Sequence, residues 1–228
     1  MGAGSRIQEP SLTSAARFGK AGQASAMISF QKRFLFVHIP KTAGNSIQNI
    51  LRDHSEDRIV ASGGQDGVER FEVRSDGRDL VKHSVLSDYY RELGKETADG
   101  FFKFACVRNP WDRMISFWFS PHRRETEWNA KKFRKFVEKE VRPLREYFAL
   151  PTDAGKPPFA NVDFIIRYEH LNEDFQKVCE RLEIPTVELP VRNRSDRGSA
   201  AQYYDDKLSA FIAETFADEI AYFGYQRP

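Results

Sequence analysis

The sequence predicts an α/β protein with three layers, α/β/α, around a central parallel sheet. Three observations carry this. Residues 33–39 (RFLFVHI) and 101–107 (FFKFACV) are apolar runs without polar alternation, the pattern of strands buried on both faces. Residues 162–171 (VDFIIRYEHL) supply a third strand. Each strand is followed by a segment with helical apolar spacing, and strands alternating with helices are the mark of a parallel sheet with helices on its faces.

The elements follow in order. Residues 1–30 are rich in Gly, Ala and Ser and read as a disordered tail, with 31–228 as one domain and Met27 as an alternative start of the folded unit. Pro40 ends the first strand, and Ile47, Ile50 and Leu51 within 46–54 share one helix face. Residues 58–80 are polar, with Gly63, Gly64, Gly67 and an Asp76-Gly77 turn signal, and suit an excursion holding a small hairpin. A short strand end at 80–82 leads to His83 and a helix that closes near Gly94.

After the second strand, Asn109-Pro110 forms an N-cap and first-position pair that starts a helix. Helical spacing continues through Trp128, Phe133, Phe136, Val137, Val141, Leu144 and Phe148. The basic residues of 122–145 read first as the solvated face of this amphipathic helix, and second as the lining of an acceptor groove for an anionic sugar. After the third strand, Asn172 is placed to cap a helix with acids in its first turn. Residues 185–203 form a long polar loop, and Leu208, Phe211, Ile212, Phe216, Ile220 and Phe223 make one stripe of a C-terminal helix.

The totals restrict function. With 228 residues, 40% hydrophobic and 13% aromatic, the chain can build a full core, which excludes global disorder. A net charge of +2 gives no general attraction for nucleic acid, so any anion site must be local. Cys106 and Cys179 lie far apart without metal-ligand spacing, which suits two reduced, buried thiols in a cytoplasmic compartment and no metal. No apolar run approaches a membrane span, and the first 30 residues lack a signal-peptide core.

The junction PKTAGNS (40–46) lies where a parallel α/β sheet binds ligands, beyond the carboxyl end of a strand. The first amides of the helix that follows are unpaired and carry partial positive charge. Lys41 adds a mobile charge, Gly44 allows close backbone approach, and Thr42, Asn45 and Ser46 add short donors. Together they describe an anion cradle suited to a phosphate-like group. The Lys-Thr pair precedes the glycine, the reverse of the common nucleotide-binding loop. A second cradle lies at CVRNPWDRMIS, where Arg108 stands just past a strand end and Ser116 follows eight residues on.

These two stretches together resemble the sulfotransferases that use 3′-phosphoadenosine-5′-phosphosulfate (PAPS), closest to the carbohydrate-type branch (family 2) that includes uronosyl 2-O-sulfotransferases and bacterial homologues. VKHSVLSDYY, VDFIIRYEHLNEDFQKVCERLEI and the C-terminal segment from LPVRNRSDRGS onward extend the likeness over most of 33–225. The resemblance implies a P-loop-NTPase-like sulfotransferase fold and PAPS as co-substrate, with no metal. It implies a 5′-phosphosulfate loop of Lys41, Thr42, Ala43, Gly44, Asn45 and Ser46. It assigns the 3′-phosphate to Arg108 and Ser116, and closure over the nucleotide to Asn193, Arg194 and Ser195. The family usually has Thr or Ser where this chain has Asn45.

Sulfuryl transfer to a hydroxyl needs a stabilised leaving phosphate, here the task of Lys41, and a base. Of the five histidines, His38 lies within the first strand and reads as a packed core or orienting residue, His54 and His122 look like helix-end surface residues and His170 sits in a loop. His83 can stand at the same sheet edge as Lys41, and the resemblance places the catalytic histidine in its KHS context. The expected acceptor is a small-molecule or glycan hydroxyl. The alternatives are an ATP-dependent small-molecule kinase, for which Asp163 is a poor Mg²⁺ ligand, and a non-catalytic nucleotide- or glycan-binding protein.

Overall fold

A computed structural model describes residues 27–65, 68–74, 78–120, 123, 125, 127–189 and 198–228. In chain order the elements are β1 (Met27–Ser29), β2 (Phe34–Val37), α1 (Gly44–Leu51), β3 (Arg58–Gln65), β4 (Val68–Arg74), α2 (Leu86–Leu93), α3 (Lys95–Asp99) and β5 (Phe102–Val107). They continue with α4 (Pro110–Trp118), α5 (Ala130–Glu140), α6 (Leu144–Phe148), β6 (Phe164–Arg167), α7 (Leu171–Leu182), α8 (Asp206–Thr215) and α9 (Ala217–Phe223).

The main sheet runs β1-β2-β5-β6. β2 pairs with β5, and β5 with β6, in parallel; β1 is an antiparallel edge. Period-two alternation sends the central side chains to opposite faces. Phe34, Phe36, Phe104, Cys106 and Ile166 bury against α1 and α7. Leu35, Val37, Ala105 and Val107 bury against the larger helical layer, which includes Trp111, Met114 and Trp118 of α4. Helices therefore cover both faces of a mostly parallel sheet, as the unbroken apolar runs predicted. β3 and β4 form a separate antiparallel hairpin with a bulge between Ala61 and Gly64.

Several sequence expectations change. The expected tail over 1–30 runs too far, because Met27–Ser29 is strand β1. Three residues are too few to show a period. Remote carboxylates hold the segment instead, with Ile28 N donating to Asp57 and the amides of Phe30 and Gln31 to Glu56. No strand forms at 80–82. The helical spacing over 128–148 is divided between α5 and α6 at Pro143, which cannot donate to a continuing helix. Asn172 does not cap α7: His170 holds that position, and Asn172 Oδ1 accepts from Leu189 N at 3.3 Å. The C-terminal stripe bends at Phe216 into α8 and α9, next to Thr215, whose hydroxyl donates back to the Phe211 carbonyl. Cys106 and Cys179 are free and buried. Among the described residues no helix is long and apolar enough to cross a membrane.

Candidate functional site

Because β2 and β5 are parallel neighbours, the turns that leave them open on the same sheet edge. The first turn, Pro40–Ala43, is tightly wound: Lys41 and Ala43 both have φ 69°. Ala43 stands at the N-cap of α1 without a side-chain cap, and its carbonyl accepts from Ser46 N and Ile47 N at 2.9 and 3.2 Å. The amides before Ser46 form the open first turn of the helix. Thr42 is fully buried and its hydroxyl donates to the Ile39 carbonyl at 2.9 Å, so that side chain braces the turn. Asn45 Oδ1 accepts from Lys82 Nζ at 2.6 Å, so the departure from the usual Ser or Thr holds a lysine.

The second turn begins at Arg108, 8% exposed. Its Nε donates to Asp112 Oδ2 at 2.6 Å, and its Nη1 donates to the Lys41 carbonyl at 3.3 Å. The guanidinium lies 3.9 Å from the centre of the Tyr168 ring. A carboxylate, a carbonyl and an aromatic face thus fix this fork, and one of its bonds joins the two turns. Asn109 caps α4 through Trp111 N, and Pro110 is the first helical residue, as expected. Ser116 lies buried on α4 one turn beyond Arg113. Arg113, which the spacing sets beside Ser116 on one helix face of the second cradle, is fully buried and donates from Nε to the Pro40 carbonyl at 3.3 Å.

His83 comes to the same edge. Its Nδ1 lies 2.8 Å from the His38 carbonyl oxygen, and its ring meets the His38 ring edge-on at 4.9 Å between centres. A carbonyl only accepts, so Nδ1 carries the hydrogen and Nε2 is left with its lone pair. The residue retains solvent exposure. Desolvation on its packed side, then the charges of Lys82 and Arg113, lower its pKa to about 4 against the pull of the His38 carbonyl. The ring is therefore neutral at pH 7.

Lys41, Thr42, Ala43, Gly44, Asn45, Ser46, Arg108 and His83 thus gather at one edge, with Ser116 on the helix that leaves it. Asn193, Arg194, Ser195 and His122 lie outside the described residues. His54 sits in the short 3-10 turn that follows α1, and His170 lies 3.8 Å from Glu173. Sequence reasoning missed Asp112, Lys82 and Tyr168. The four-residue spacing from Arg108 could have found Asp112, and adjacency to His83 could have found Lys82. Tyr168 follows β6 and leaves no local signal. Among the described residues no cluster of potential metal ligands occurs.

Comparison with known families matches residues 25–226 to the sulfotransferase family. An uncharacterized protein of Archaeoglobus fulgidus is 35% identical over 100 residues, which span 44% of this chain and 82% of that protein. No solved structure matches.

Proposed function

We propose, from the premise that this chain belongs to the sulfotransferase family, that it transfers a sulfuryl group from PAPS to a hydroxyl of a carbohydrate or similar small acceptor. The observation that carries this reading is the Arg108-to-Lys41 hydrogen bond, which ties a lysine-bearing turn to an arginine-bearing one on a single sheet edge. Such a pair suits a donor with phosphate at both ends. Lys41 and the first-turn amides of Ala43, Gly44 and Asn45 take the 5′-phosphosulfate, with Thr42 bracing them and Ser46 closing the turn. Arg108 and Ser116 take the 3′-phosphate, and Asn193, Arg194 and Ser195 close over the nucleotide. Residues 27–228 act as one domain, since β1 pairs with β2 in the main sheet, and the buried free thiols support a cytoplasmic setting.

In this mechanism the acceptor oxygen attacks sulfur while the bridging bond between sulfur and the 5′-phosphate oxygen breaks. The electrons of that bond leave with adenosine 3′,5′-bisphosphate. Lys41 and the helix amides stabilise the charge that develops there. The hydroxyl proton passes to His83 Nε2, and the forming imidazolium keeps its Nδ1–H on the His38 carbonyl.

The test is labelled-sulfate transfer from PAPS to a panel of hydroxyl acceptors, repeated with EDTA and with ATP as donor. The expected result is EDTA-insensitive sulfation. EDTA-sensitive phosphorylation from ATP, or no sulfated acceptor at all, would overturn the reading.

A further inference from the structure

The side chain of His38 touches both halves of the site. The residue directly follows β2 and is only 3% exposed. A Cβ at Gly44 would lie 2.1 Å from its Cδ2 and Nε2 and 2.8 Å from its Cε1. The imidazole thus fills the space a side chain at position 44 would need, and glycine is required there by this ring. On its other side, the ring meets His83 at 73° and 4.9 Å between centres. Phe36 stands beside it at 5.8 Å.

Packing alone does not account for an imidazole here. Its Nδ1 is buried with no hydrogen bond of good geometry, and the side chain's hydrogen bond with Gln48 is an interaction that a phenylalanine would lose. Burial above all, then the charges of Lys82 and His83, hold its pKa well below the ordinary value, while Gln48 pulls the other way. The ring is thus neutral. A neutral aromatic ring can lie against His83 as that residue takes a proton; a second cation there would repel it.

We propose that His38 is a positioning residue that keys the base to the donor loop, its ring setting the spacing between His83 and the Gly44 end of that loop. This rests on the reading of His83 as base. The charged groups that face the pair are Lys82 and Arg113.

The test is a double-mutant cycle of Gly44→Ala and His38→Ala in the full chain. It reads kcat and KM, bisphosphate affinity by calorimetry, the His83 titration by NMR and the melting temperature. Gly44→Ala pushes the ring toward His83 and lowers kcat on the order of 10²-fold, since small misplacements have effects of that size. It also moves the His83 titration. In the double variant the new methyl occupies the vacated space, so the loss does not exceed that of His38→Ala alone. His38→Phe retains a ring, so it folds even where His38→Ala does not, and Gly44→Ala remains damaging within it. Additive losses, or a His83 titration unmoved by either substitution, would overturn the inference. If the wild type transfers no sulfuryl group while Gly44→Ala still moves the His83 titration, the functional reading fails and the His38–His83 coupling stands. If the wild type is active and the losses add, the reading stands and the inference fails.

Discussion

Lys41 and Ala43, at φ 69°, sit in a backbone region that costs an L-residue about 1–2 kcal/mol. Strain of this kind is retained where a loop must wrap a ligand. Glycine at position 43 would relieve the strain but add chain entropy, so Ala43→Gly should change unfolding free energy by less than about 1 kcal/mol. Ala43→Val, β-branched, should cost about 1–2 kcal/mol in the same denaturant melts. His83→Ala should lower kcat by about 10²–10⁴-fold while bisphosphate affinity, measured by calorimetry, holds. The active form of His83 is neutral, and its pKa is lowered to about 4. Activity should therefore rise with pH through that low value and be flat above it. A kcat/KM profile whose acid limb stands at the ordinary histidine pKa would contradict the geometry. The residue types at the two turns were legible in the chain. The Asn45–Lys82 bond was not, because it joins residues 37 positions apart.

Elements begin and end mostly where local chemistry demands. Asn109 and Pro110 start α4 as read from the dipeptide alone. Asn109 also donates from Nδ2 to the Gln226 carbonyl and from its backbone N to Glu169 Oε1. Asn109→Ala should therefore cost at least the roughly 1 kcal/mol of a lost cap, read as a lower melting temperature. Where the reading failed at this scale, a remote contact decided. β1 pairs with β2, and Asp57 and Glu56 secure it by accepting from Ile28 N and from Phe30 N just beyond it. Asn172 gave up its cap because the Leu189 amide claims its side chain. Periodicity signalled helix across 128–148 and 206–223, but a stripe of apolar residues does not record a bend within it. Pro143 was visible in the chain and could have divided the first of these.

Arg113 and Glu219 join distant parts of the molecule. Both are buried, and Arg113 Nη1 lies 3.8 Å from Glu219 Oε2, beyond a direct hydrogen bond. Burial raises the Glu219 pKa to about 7, opposed by Arg113. The folded state keeps a proton that the unfolded chain releases near pH 4.5. The stabilising contribution of this group is thus complete below pH 4.5 and is lost as pH rises through about 7. Glu219→Gln should be more stable relative to wild type at pH 8 than at pH 5 in denaturant unfolding, and an equal difference at both would contradict the assignment.

The sequence by itself determined the three parallel strands, the start of α4 and the two turns rich in anion-binding groups, because each depends on residues within a few positions of one another. Tertiary structure alone decided that the turns share an edge, that Arg108 bonds the Lys41 carbonyl 67 residues away and that His83 takes the His38 carbonyl 45 residues away. Those contacts form only once strand order and helix packing bring the segments together, and chain-local propensities carry no information about that pairing.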